Sequence, residues 1–448
     1  MKRSPAVRLA AALGAAAFPA FAWAQTVVVE CSGESSAIER AAAGAGDGDT
    51  LVVKPGVYRG PLEIKKPLKL VADGRAVIDG RGTGTVVRLE APNIEFRGFT
   101  VRSSGDVLGT DDAGILASGL GIVIEDNRVE DVLFGVYLKQ SSESVVRNNT
   151  LVGKNLDLGR RGDLIRVWYS HDVVLQGNNA FDGRDVVLWY SRSAHLTGNR
   201  FARGRYGIHF MYCNNSVVED NNLSDNSVGV YLMYSARIHL RGNKIIHNRG
   251  PSGFGIGFKD MENPRIEGNL VCDNRVGVFM DACRQGIFTG NTIASNDVGF
   301  ELSPAVQGNS FEKNNVIDNT EQVKMDRSSS ATVNHWRENF WADYRGYDAD
   351  KNGVGDIPYR SVRLYENITD RFRSLKIFTA SPAVFAVDFA AGVFPVFAPS
   401  PKFSDERPLM GPVSLRVRPD EPRGSGWWLA VAASLLLPVI RIWTRFSA

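Results

Sequence analysis

The chain has 448 residues, 44% of them hydrophobic and 23% charged, and a formal net charge of +3 at pH 7. Lys2, Arg3 and Arg8 lie in the first 24 residues, which hold no acid, so the rest is neutral (3 − 3 = 0) and gives no reason to expect nucleic acid. The length can bury a large core, and a solenoid can use all of it as one domain.

Residues 1–24 open with Lys2 and Arg3, continue through an apolar run and end in Ala22-Trp23-Ala24. That is the pattern of a secretory signal peptide, with cleavage expected after Ala24 and export from the cytoplasm. Residues 26–31 read as a first strand. The stretch from Ser35 reads as a short amphipathic helix that would cap the open end of a solenoid. Strand-like coils follow over 51–112, and the polar segment 103–114 is expected to loop out.

From Ala113 to Asn319 the chain repeats with a period near 22 residues. Asn127, Asn149, Asn178, Asn199, Asn221, Asn243, Asn269 and Asn291 each close a short polar turn, mostly after Gly, Asp or Asn. Between the turns lie short strands such as GVYL (135–138), GIHFM (207–211) and GVYLM (229–233). A fixed period of this length means stacked supersecondary units, and the two-residue alternation within each unit is that of a strand. The expected fold is all-β: a right-handed parallel β-helix over 25–335, with the N-terminal helical cap. Two insertions, 153–163 and 249–255, explain the longer spacings and are also expected to loop out.

Counting from the Gly that opens each strand, positions +1 and +3 are apolar in nearly every coil, as in Val230 and Leu232, and should point inward. Positions +2 and +4 should then point outward. They include Arg166, His209 and Tyr231, and the run Trp168, Trp189, Met211, Met233, Lys259 and Asp281.

Beyond the repeat, residues 336–380 read as a C-terminal cap, 381–426 as an apolar segment and linker, and 427–443 as a hydrophobic helix. Trp427 and Trp443 at its ends, with Arg441 and Arg445 nearby, fit either a membrane anchor or a helix docked at an interface or partner.

Four coils carry the same pattern: Trp168-Tyr169-Ser170, Trp189-Tyr190-Ser191, Met211-Tyr212-Cys213 and Met233-Tyr234-Ser235. The Tyr read as a stabilising ladder. The Met need another reason, since two thioethers one coil apart are expected to face outward. His209 and Cys213 flank Met211, and Met261 follows in the next coil. Thioether, imidazole and thiolate select soft Cu(I), so His209, Met211, Met233, Cys213 and Met261 form a candidate copper face. The competing reading is that Met fills gaps in packing. His171, His195, His239 and His247 are scattered among turns and read as surface hydrogen-bonding residues.

Asp348, Asp350, Asn352 and Asp356 occupy positions 1, 3, 5 and 9 of a calcium-type loop, with Gly353 at the turn position. Tyr359 stands where the bidentate Glu belongs, so any calcium site would be weak, and a plain Asx-rich turn fits equally. Asp260, Asp281 and Glu301, near Lys259 and Arg284, could line a sugar-cleaving groove; ion pairing between coils explains them as well, and no catalytic residue is assigned. Export permits disulfides among Cys31, Cys213, Cys272 and Cys283. Cys213 and Cys283 would lie three coils apart, roughly 14 Å at the coil spacing, too far for a bond; Cys272 with Cys283 stays open.

The repeat, the motif Asn339-x-Trp341-x-Asp343-Tyr344 and the loop ending Gly355-Asp356-Ile357-Pro358-Tyr359 together resemble the NosD family, within the broader carbohydrate-binding/sugar-hydrolase β-helix superfamily. The likeness covers roughly residues 25–380. It implies a non-enzymatic periplasmic accessory role in assembling the copper cluster of nitrous-oxide reductase. The implied partners are an ABC transporter ATPase and permease, a copper chaperone and the apo reductase, with the C-terminal helix at the membrane. The rival expectation is an extracytoplasmic polysaccharide-binding or sugar-cleaving protein.

Overall fold

The computed structural model describes residues 24–31, 33–325, 334–360, 368, 372–378, 381–382, 384, 386–387, 401 and 403–414. The expected signal peptide up to Trp23, most of the expected apolar segment and the helix expected at 427–443 lie outside these residues. No helix among the described residues is long and apolar enough to cross a membrane.

The chain is a parallel β-helix. Three sheets of 16, 12 and 13 strands run along its length, and each coil contributes one strand to each sheet in turn. One coil shows the order: Tyr206–Met211 in the 12-stranded sheet, Val217–Glu219 in the 16-stranded sheet, Asn222–Ser224 in the 13-stranded sheet, then Val228–Ala236 back in the 12-stranded sheet. All pairings between coils are parallel. The antiparallel exception among the described strands is Tyr359–Arg360 against Ser404–Asp405, at the C-terminal end.

The inward columns are those expected from the alternation. Ile208 stacks on Val230, Ile256, Val278 and Phe300, and Phe210 on Leu232, Phe258, Met280 and Leu302, all in one continuous core. Helix α1, Ser36–Gly44, buries Ile38 and Ala42 in the same core at the N-terminal end. The Gly opening each strand is dictated by close approach: a Cβ on Gly229 would lie 2.4 Å from Ile245 Cγ2 and 2.7 Å from the carbonyl of Gly255.

The repeating Asn do not adopt the left-handed conformation; the residue before each of them does, as at Asp126, Asn148, Gly177, Gly198 and Asp220. That twist turns the Asn inward, where it is buried. From Asn127 to Asn339 each side-chain Nδ2 donates to the Oδ1 of the next Asn at 2.9–3.1 Å, and that same oxygen accepts the donor's own backbone N–H. A second ladder, Asn226, Asn248, Asn274, Asn296 and Asn319, lines another corner. Buried backbone groups must find partners, and these amides supply them.

Residues 403–414, read as linker from the sequence, pack on the C-terminal end. Phe403 is buried against Trp336, Trp341 and Tyr359. The polar run after it looked like linker because its one buried acid, Asp405, is used to cap backbone and side-chain donors.

Candidate functional site

The elaborated surface is the outer face of the 12-stranded sheet. The segments 103–112 and 153–163 leave the coils here as expected, with residues 106–110 and 157–160 exposed and only their flanks packed against the sheet. Asp112 is buried and accepts from the backbone of Val107 and the hydroxyl of Thr110. A second apolar cluster forms outside the solenoid from Ala113, Leu133, Phe134 and Tyr137, with Leu116, Leu156 and Trp168 packed against it.

At the centre of this face lies a buried ionic network. Asp163 and Asp185 replace the small or apolar residues usual at the strand entry, and their side chains are almost fully buried. Asp163 accepts from Arg166 Nε at 2.9 Å and Arg184 Nε at 3.0 Å. Asp185 accepts from Arg205 Nε at 3.0 Å and from the backbone of Tyr206. Burial and the neighbouring Asp185 push the Asp163 carboxyl upward, and the arginines pull it back. The Arg166 guanidinium carbon lies 4.3, 5.3 and 5.4 Å from the rings of Phe134, Tyr137 and Trp189, and its Nη1 reaches Asp111 at 2.7 Å. Removing one partner of such a network leaves a buried charge uncompensated.

His209 borders this network. It is buried, and neither Nδ1 nor Nε2 has a partner. Tyr206 meets its ring edge-on at 4.9 Å, and Tyr231 stacks at 6.2 Å. Burial, then the charge of Arg205, pushes the imidazole down to about 4, so at neutral pH it is uncharged with a free lone pair. Met211 and Met233 are in-register neighbours, half-buried, in the outward column two residues beyond His209 and Tyr231. The structure therefore brings His209, Met211 and Met233 to one face.

Cys213 and Met261 are not on that face. Both are fully buried in the solenoid core, in an inward column that runs Cys213, Ser235, Met261, Cys283. The alternation breaks at Tyr212, whose φ of +56° turns the chain so that the next residue points inward. Tyr169, Tyr190 and Tyr234 do the same in their coils. The Cys213 thiol bonds the carbonyls of Leu188 and Met211, and burial pushes its pKa up to about 11, which keeps it protonated and a poor ligand. All four cysteines are free, so Cys272 and Cys283 form no bond. The four Tyr stack at 4.8–5.1 Å between centroids with nearly parallel rings. Their faces are spent on one another, which makes the ladder structural.

In the loop carrying Asp348, Asp350, Asn352 and Asp356, backbone amides already engage the side-chain oxygens. Asp348 accepts from Asn352 and Gly353, Asn352 from Val354, and Asp356 from Ala349. These are the bonds of Asx turns, and among the described residues no three His, Cys, Asp or Glu side chains gather to hold a metal ion. Asp281 accepts from Ser303, Glu301 pairs with Lys324, and Asp260 turns a corner with φ of +48°. His195, His239 and His247 each bond a carboxylate in the next coil.

Arg166 was placed in the outward column from sequence, but the charged residues at 163, 184, 185 and 205 were not singled out. Their signal was the loss of the strand-opening Gly in two adjacent coils, where Leu164 and Asp185 stand instead.

Fold and site together define a parallel β-helix with one half-covered outer face bearing aromatic, imidazole and thioether groups. Residues 148–346, which contain that face's His and Met, match the family described as "Periplasmic copper-binding protein (NosD)". The chain is 29% identical over 417 residues to the "Probable ABC transporter binding protein NosD" of Pseudomonas aeruginosa, covering 81% of this chain and 89% of that one. The protein of the same name from Stutzerimonas stutzeri is 26% identical over 412 residues, covering 79% and 85%. Over residues 148–346 the chain is similar to the NosD family. Among solved structures, the A-module of the mannuronan C-5 epimerase AlgE6 of Azotobacter vinelandii is similar at TM-score 0.48 and 18% identity, covering 69% of this chain and 94% of that module.

Proposed function

We propose that this protein is a periplasmic accessory factor that handles Cu(I) while working with an ABC transporter in assembling the copper cluster of nitrous-oxide reductase. It takes the ion from a copper chaperone and presents it toward the apo reductase, and it is not itself an enzyme. The observation that carries the copper part is the uncharged, buried His209, with both ring nitrogens unpartnered, beside the in-register thioethers of Met211 and Met233. One imidazole and two thioethers form a soft donor set with no carboxylate, which suits Cu(I) and disfavours hard cations. The ion is cargo, and an exchangeable three-donor seat on an outer face can both receive and release it.

Anaerobic titration of the purified chain with Cu(I) tests this. One equivalent should bind, and Met211→Ala with Met233→Ala should abolish it, while Cys213→Ser should leave it intact. Stoichiometric binding that survives loss of both Met would refute this site. No copper binding, with uronide cleavage lost in Asp281→Asn, would favour a sugar-active protein instead.

A further inference from the structure

Trp189 holds the place next to Met211 in the outward column. Trp168, Trp189, Met211 and Met233 are successive in-register neighbours. Neighbouring strands lie about 4.8 Å apart, so Trp189 and Met211 are adjacent residues on one face of the sheet. The side chain is half-buried, and its Nε1 is buried without a partner. The indoles of this column already seat monovalent cations from the chain itself: Arg166 lies 5.4 Å from the Trp189 ring, and Lys139 lies 5.8 Å from that of Trp168.

Resting on the copper reading above, we propose that Trp189 is a specificity-determining wall of the His209, Met211 and Met233 site, its indole giving a soft monovalent ion a cation–π contact. The ring attracts a cation through its quadrupole without offering the lone pair that a harder divalent ion seeks as a further ligand. It also occupies the flank where water would otherwise complete a larger coordination shell. A soft monovalent ion content with few donors is then favoured over the harder, divalent Zn(II). The two coils on the other side change character, since Lys259 and Asp281 follow Met233, so the seat is closed by an indole on one flank and by charge on the other.

The test uses Ag(I) alone, a redox-inert probe, titrated into the purified full chain and followed by tryptophan fluorescence and equilibrium dialysis. Wild type should lose emission on binding. Trp189→Phe should abolish most of that change with little effect on folding, while Trp168→Phe should retain it. Trp189→Leu should weaken Ag(I) binding about 2- to 30-fold. Ag(I) binding that depends on Met211 and Met233 but is indifferent to Trp189→Phe and Trp189→Leu, in both emission and affinity, would overturn the wall and leave the copper site standing. No Ag(I) binding to wild type would overturn both.

Discussion

Asn339 donates its side-chain Nδ2–H to Asp405 Oδ2 at 2.9 Å, across 66 residues of chain. The direction of the ladder explains why an acid stands there. Every Asn of this ladder from 127 onward passes a donor to the next, so the last one needs an acceptor, and the carboxylate oxygens of Asp405 supply it. Asp405 also takes the backbone N–H of Asn339 and the indole N–H of Trp341, at 3.0 and 3.1 Å.

Asp405→Ala should therefore destabilise the C-terminal coil by about 2–4 kcal/mol, the cost of leaving several buried donors unpaired after losing their shared acceptor. Asp405→Asn, which keeps one oxygen, should lose less. Amide hydrogen exchange across residues 334–360 measures both. Exchange unchanged in the Ala variant would show that Asp405 does not hold the cap.

An interior rung should behave differently. Asn221 accepts from Asn199 twice and donates to the carbonyls of Leu196 and Glu219 and to Asn243. Asn221→Leu leaves buried partners unpaired on both neighbouring coils and should cost about 3 kcal/mol or more, read as a lower midpoint in urea unfolding. Because coils touch only their neighbours, the loss should appear in exchange rates near residues 196–246 before it spreads to the ends.

The straight parts of this molecule were legible in the sequence and the corners were not. Two-residue alternation placed Val230, Leu232, Ile256 and Phe258 inward, and it put Met211 beside Met233 on the outer face. The same rule, carried one residue too far, put Cys213 and Met261 outside. A single left-handed residue, Tyr212 or Asp260, reverses the alternation, and a bulky Tyr gives no hint that it will adopt that conformation. The packing of Leu156 from segment 153–163 was hidden for another reason: it lies on a face outside the main core, which the pattern of the strands marks as solvent.

His209 should make the metal-free protein sensitive to mild acid. Unfolded, its imidazole titrates at the ordinary value of 6.5; folded, burial and Arg205 push it down to about 4. The unfolded chain binds the extra proton between those values, so this contribution is absent above 6.5 and grows unfavourable as pH falls toward 4. The full difference corresponds to about 3 kcal/mol. The charged groups facing the ring are Arg205, Arg184 and Asp163, and Tyr206 and Tyr231 pack on it. Urea midpoints measured at neutral pH and near pH 5 should fall further for wild type than for His209→Gln. Equal slopes would mean that the ring is not held neutral.

The thiols should separate cleanly by position. Cys213 and Cys283 are fully buried, and burial raises them to about 11 and about 12. Cys31 is exposed at the N-terminal end, and Cys272 is partly exposed. Reaction needs both access and thiolate, so a disulfide-exchange reagent at mildly alkaline pH should label Cys31 quickly, Cys272 slowly, and the other two only after denaturation. Labelling of Cys213 should not change when Met211 and Met233 are replaced by Ala, because the Cys lies on the opposite side of the sheet from them. Fast native labelling of Cys213 would place it back on the outer face and reopen it as a copper ligand.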